Sequence, residues 1–214
     1  MTHSYQQKYL YGTLLVIILI CVGAYVLQKS NGEVYPTEPT PTVEITKFTD
    51  SQKRFSITVP DGASVITDKA TMAMVGYMPS CNTDTAVACI AFASSTYPNS
   101  NFQNASISLN VSPLMTETLC LAQNDMEQKS DGLITISGVS FASFSAGDAA
   151  MSHQSSGIDY RTFKDNTCYE ITTRVNTTTY EVYEEGSIQR FTDSQKIAIE
   201  QAIEKAVQSF AFLK

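Results

Sequence analysis

Tryptophan is absent, and histidine is scarce: in 214 residues only His3 and His153 carry an imidazole. His3 lies in a short N-terminal tail, so the rest of the chain has one histidine to serve as general base or nitrogen ligand. No G-x-S-x-G elbow, S-x-x-K, P-loop, G-x-G-x-x-G or C-x₂₋₄-C spacing occurs. The expectation is therefore a protein without cofactor or metal. Charge is sparse at 16%, and its basic half is the weaker, with 14 Lys and Arg against 21 Asp and Glu. Every acidic residue lies beyond residue 32, so the part after residue 28 carries 13 bases against 21 acids, a net −8. An acidic domain without a basic stripe argues against nucleic acid, whose binding rests on phosphate neutralisation. It also argues against docking on anionic lipid.

One long apolar run is present. Residues 10–27 read LYGTLLVIILICVGAYVL, and no charge falls between Lys8 and Lys29. At the helical rise this run spans roughly 27 Å, close to the hydrocarbon thickness of a bilayer. Tyr9, Tyr11 and Tyr25 lie towards its ends, where amphipathic rings favour the interface. A cleaved signal peptide is the competing reading, but the run is longer than a usual h-region and no A-x-A-like site follows it. Cys21 sits mid-run behind Ile18-Leu19-Ile20, too bulky for a lipobox. The reading is a cytoplasmic tail over 1–8, a transmembrane anchor over 9–28 and a domain delivered outside the plasma (inner) membrane. Three prolines then alternate with Thr and Glu in NGEVYPTEPTPT, an extended stalk over 29–42.

From Val43 to Lys214 strand patterns recur at short intervals. RFSITVP puts Phe55, Ile57 and Val59 on one face before a Pro-Asp-Gly turn. VACIAFASS, 87–95, is apolar almost throughout and fits a strand buried on both faces. ASISLNVS alternates, with Ile107, Leu109 and Val111 on one side. LITISGVSFASF, 133–144, reads as two short strands or one strand bent at Gly138. TETLCLAQNDMEQ, 116–128, is read as a helix. Thr192 and Gln195 form a capping box, after which Ile199, Ile203 and Val207 repeat on one stripe. The class is α+β: an antiparallel sheet packed by a C-terminal amphipathic helix, with SFAFLK as a last short strand.

FTDSQKRFSITVP, near the start of this domain, resembles the opening of Mog1/PsbP-like domains, and IEQAIEKAVQSFAF is similar to their closing helix and Ser-Phe strand. The resemblance covers about 30 residues at the two ends. It implies an α/β/α sandwich on an antiparallel sheet and a non-catalytic binding or assembly role. The cysteine-bearing middle departs from that pattern, so no functional residue carries over.

Four cysteines lie in the exported part: Cys81, Cys89, Cys120 and Cys168. An even number outside the cytoplasm reads as two disulfides. Three pairings are possible. Cys81–Cys89 as a short clip and Cys120–Cys168 as a long one are preferred, with free thiols or a zinc site using His153 as the alternatives.

Chemistry-bearing candidates are few. His153 sits near Asp148 and several serines, the raw material of an exported hydrolase, or of a thiol enzyme if Cys168 were reduced. Glu181, Glu184 and Glu185 read as a solvated loop. Asn104 and Asn176 head glycosylation triplets, which matter only in a eukaryotic host. YRTFKDNTCYEI, 160–171, reads as a hairpin turning at Asp165-Asn166, which sets Arg161 opposite Glu170 as a cross-strand ion pair. Tyr160, Tyr169 and Ile171 then share a face that is either core or a platform for a glycan or protein partner. The binding candidates are thus Tyr160, Arg161, Tyr169 and His153. The expected function is a membrane-anchored, non-catalytic envelope module; the alternative is an enzyme centred on His153.

Overall fold

Ten strands lie among the described residues and account for nearly half of them, because the sequence is built from short alternating or apolar runs separated by turns. The computed structural model describes residues 46–75, 81, 83–125 and 127–214. The predicted tail, anchor and stalk lie outside the described residues. Among the described residues, no helix is long and apolar enough to cross a membrane.

A small sheet joins β1 (Lys47–Thr49), β2 (Phe55–Thr58) and β10 (Ala211–Phe212) in the order β1-β2-β10. A larger sheet joins β3 (Ser64–Ile66), β4 (Ala86–Phe92), β5 (Phe102–Pro113), β6 (Glu127–Ile136), β7 (Val139–Ala150), β8 (His153–Lys164) and β9 (Thr167–Thr178). Its order is β3-β4-β5-β9-β8-β7-β6, and every pairing in both sheets is antiparallel. Two single-turn helices, α1 (Lys69–Met72) and α2 (Glu117–Cys120), lie in the connections, and α3 (Asp193–Gln208) precedes β10.

The predicted capping box closes α3: Gln195 N–H donates to Thr192 Oγ1 at 3.3 Å, and Thr192 N–H donates to Gln195 Oε1 at 2.8 Å. Ile199, Ile203, Ala206 and Val207 are buried along one stripe. They join Ile107, Leu109, Ile171 and Tyr160 of the large sheet and Phe55 and Ile57 of the small one in a single core. Phe210 stacks 5.1 Å from Phe55, so the chain's last strand and the domain's first hairpin seal the same end. In β5 the opposite face is polar yet buried: Ser106 and Ser108 are fully covered and Asn110 nearly so. Thr83 and Thr85 hydroxyls both donate to Asn110 Oδ1, at 2.6 and 3.4 Å. A second apolar cluster, Met72, Cys81, Ala86, Cys89 and Ala91, belongs to the segment around α1 and its docking strand.

Two turns match the sequence reading. Asp165 and Asn166 have φ of 50° and 55°, the mirrored turn that fits right-handed strand twist. The register follows: Phe163 opposite Cys168, Thr162 opposite Tyr169, Arg161 opposite Glu170, Tyr160 opposite Ile171. Ser137 and Gly138, at φ 47° and 82°, make a second such turn, so 133–144 belongs to two strands. The helix over 116–128 is a correction: among the described residues of that segment only Glu117–Cys120 is helical, and Glu127 already begins β6. A long-range bond and a local turn bond take the rest of that segment, since Arg161 Nη1 captures the Ala122 carbonyl at 2.7 Å and the Asn124 N–H donates to Glu127 Oε2 at 2.8 Å.

Candidate functional site

Cys81, Cys89, Cys120 and Cys168 form two bridges, Cys81–Cys89 and Cys120–Cys168, with Cα atoms 5.6 and 5.5 Å apart. Each pins a connecting segment: Cys81–Cys89 ties the chain after α1 to β4, and Cys120–Cys168 ties α2 to β9. With Cys168 bridged, no thiolate is available at this site to partner His153.

The face of β8 and β9 that carries Cys168 also carries charge. Arg161 is 7% exposed. Its Nε donates to Glu170 Oε1 at 2.7 Å, its Nη atoms reach Glu127, and its plane lies 5.0 Å over the Phe144 ring. Beside it Arg174 binds both oxygens of Asp159, at 2.7 and 3.0 Å. Burial pushes the Glu127 carboxyl above the usual carboxylate range, against the pull of the Asn124 N–H and Arg161. The carboxylates of Glu127, Asp159 and Glu170 converge. Two guanidinium groups already serve as their counter-ions, so this is an ion-pair network that fastens the 121–127 segment to the sheet. The cross-strand pair read from sequence is present, on a buried Arg161 that has an extra partner, Glu127.

The tyrosine face resolves as core. Tyr160 and Tyr169 are 3% and 7% exposed. The Tyr160 hydroxyl donates to Glu204 Oε2 of α3 at 3.0 Å, and Tyr169 packs edge-on to Phe212 with ring centres 4.8 Å apart. Burial also raises the Tyr169 phenol above its ordinary pKa. A partner has no access to this pair as a platform.

His153 is half-buried, with Nδ1 3.1 Å from Gln103 Oε1. Asp148 stands opposite Ser155 in register, and Ser155 is two residues from His153 on the same face. A Ser–His–Asp set is therefore near in space. The Ser155 hydroxyl is nevertheless buried without a hydrogen-bond partner among the described residues, so His153 does not engage it. Asn176 is 1% exposed and donates to Asn104 Oδ1 at 2.7 Å, a cross-strand bond inside the sheet rather than a displayed acceptor side chain.

The feature that sequence reasoning missed lies on the opposite face. Along the core-facing phase of β8, Tyr160 is followed outward by Ile158, Ser156 and Gln154. In register across the sheet, Ala149, Gln154 and Thr177 form one row, and Gly147, Ser156 and Val175 the next. The large side chains that hold α3 end here, and a groove of about 950 Å³ opens over small polar ones. One wall is the first turns of α3, with Asp193, Lys196 and Glu200; another is the 180–191 segment, with Tyr180, Arg190 and Phe191. Asn101 pins that wall: its Nδ2 donates to the Thr178 carbonyl and its Oδ1 accepts the Phe191 N–H, both at 2.7 Å. Arg190 lies 4.5 Å over the Tyr180 ring and pairs with Glu181.

Beneath the groove the β8–β9 ladder is interrupted at Gly157 and Ile158. The Thr173 hydroxyl fills the gap, accepting the Ile158 N–H at 2.9 Å and donating to the Ile158 carbonyl at 3.0 Å. A Cβ on Gly157 would fall 1.8 Å from the Thr173 carbonyl oxygen, so only glycine permits the approach. The signal for the groove was in the sequence: Gln154 and Ser156 occupy the same strand phase as Tyr160, where a fully covered sheet would place apolar residues.

No family model and no curated protein sequence matches the chain. Proteins with a Mog1/PsbP-like fold are among its structural neighbours. The solution structure of cyanobacterial PsbP from Synechocystis is matched over 85% of this chain and 100% of its own, with 9% identity and a TM-score of 0.42. Mog1p, a Ran-binding protein of Saccharomyces cerevisiae, is matched over 78% and 94%, with 14% identity and a TM-score of 0.41. LpqN, involved in cell envelope biogenesis of Mycobacterium tuberculosis, is matched over 81% and 88%, with 9% identity and a TM-score of 0.45. At such identities and scores the likenesses carry no argument about ligand, partner or activity.

Proposed function

We propose that the chain is a single-pass, membrane-anchored module displayed on the outer side of the plasma (inner) membrane, binding an envelope partner without catalysis. The groove over β7, β8 and β9 is its binding site, and the observation that carries the reading is the change of character along one sheet face. A face that is tightly packed under α3 turns small and polar while staying walled, and 950 Å³ is within the usual size of a ligand cleft, about 300–1,000 Å³. The 180–191 wall is fixed by the Asn101 side chain's bonds to main-chain groups of Thr178 and Phe191, so that side of the site is preformed. Export and anchoring are supported by the apolar run over 10–27, by the proline-rich stalk and by two buried disulfides, which persist in oxidising compartments. Against the enzyme reading stand the bridged Cys168 and the unengaged Ser155 beside His153.

Hydrogen exchange of the detergent-solubilised full chain, with and without isolated cell-envelope material, tests the site. The expected result is new protection over 145–149, 154–158 and 177–180. Protection confined to the His153–Gln103 side of the sheet, or none, would contradict it.

A further inference from the structure

We infer that the groove takes a neutral glycan segment; this rests on reading the groove as the binding site. Its charges decide the first step. Three lining carboxylates, Glu181, Asp193 and Glu200, outnumber two cations. Both cations are committed: Arg190 to Glu181, and Lys196 to Glu200 at 3.8 Å. A phosphate-bearing or uronate polymer meets no unpaired positive charge there and a net negative one, from Asp193. The floor decides the second step. Ile158 and Val175 are its larger apolar members; Ser145, Gly147, Ala149, Gln154, Ser156 and Thr177 make up the rest and give a long acyl chain little continuous apolar surface to bury, so a lipid tail is a poor occupant.

What remains is a neutral, hydrogen-bonding ligand. The choice between a peptide and a glycan follows from what the floor presents. At the floor rows β8 is paired on both sides, with β7 and with β9, so its backbone N–H and C=O groups are already used in the ladders. A peptide adding as a strand needs an open edge, which a sheet face does not give. The floor instead offers amide and hydroxyl side chains in register, spaced by about 4.8 Å across strands. That is an array of short donors and acceptors suited to sugar hydroxyls. Tyr180, half-buried at the wall and backed by Arg190, adds an aromatic surface for the C–H face of a pyranose.

The test titrates the detergent-solubilised full chain with neutral tetrasaccharides of glucose, mannose, galactose and N-acetylglucosamine, and with polygalacturonate as the anionic contrast. Ser156→Trp, which fills the floor, and Gln154→Ala, which removes an amide without adding bulk, are compared with Lys205→Trp on the exposed face of α3. At least one neutral tetrasaccharide is expected to bind. Ser156→Trp should weaken it about tenfold or more and Gln154→Ala severalfold, with Lys205→Trp unchanged and polygalacturonate not bound. Melting temperatures show whether each variant is folded, and Gln154→Ala decides the matter if Ser156→Trp is not. No binding by any neutral sugar, preference for polygalacturonate, or binding insensitive to both groove variants overturns the inference. If envelope material still protects the groove from exchange while no sugar binds, the glycan assignment alone fails. If neither occurs, the binding-site reading fails with it.

Discussion

Arg161 gathers two carboxylates, a main-chain carbonyl and an aromatic face around one buried guanidinium. Removing one partner of such a group leaves the rest uncompensated, at a cost of about 3–5 kcal/mol. Arg161→Met should therefore destabilise the domain by that order in urea unfolding, and Arg161→Met with Glu127→Met should recover much of the loss. If Arg161→Met is nearly silent, the network is not a fastening. Asp50 gives the opposite pH sign to a buried acid held neutral. Hydrogen bonds from Arg54, at 2.7 and 3.0 Å, hold its carboxyl below the ordinary range. Such an acid adds stability above its unfolded pKa, about 4, and the contribution is lost as pH falls through the lower folded value. Acid titration of stability should thus be steeper for the native chain than for Asp50→Asn below about pH 4. Equal slopes would contradict the pairing. Of these two residues, Arg161 was half legible: turn geometry gave its partner Glu170, but Glu127 comes from 34 residues away and no local pattern announces it.

Among the elements, the hairpin over 160–171 was legible to the residue, because a two-residue mirrored turn fixes register and alternation then fixes both faces. The helix α3 was legible for a similar reason, with its cap and stripe both local. The 116–128 segment was not. Its backbone is held by Arg161 and by the Cys120–Cys168 bridge, interactions made only after the sheet exists. The two bridges differ in the chain they close, with separations of 48 and 8 residues. In the chain-entropy account they contribute about 4 and about 2.5 kcal/mol. Cys120→Ala with Cys168→Ala should therefore lower stability more than Cys81→Ala with Cys89→Ala, by roughly 1–2 kcal/mol in denaturant unfolding. The reverse ranking would show that the short clip, not the long one, secures the outer face. The groove was the least legible element. Its floor comes from three strands and its walls from α3 and the 180–191 segment, and Ser156 or Gln154 gains meaning only once the strand phase and the length of α3 are known together.

At the scale of the whole molecule we propose three parts: an apolar segment that would hold the chain in a membrane, a proline-rich spacer, and a disulfide-stapled sheet domain with a polar groove. Composition carries much of the case for the first two, while the third depends on how α3 stops short of the sheet's end. The central claim is that the stapled domain stands outside the membrane and is oxidised there. Thiol labelling of intact cells with a membrane-impermeant, mass-tagged maleimide, before and after an impermeant reductant, tests it most directly. The account predicts no tag before reduction and four after it, at Cys81, Cys89, Cys120 and Cys168, without permeabilising the cell. Tags on these cysteines before reduction, or only once the membrane is opened, would contradict it.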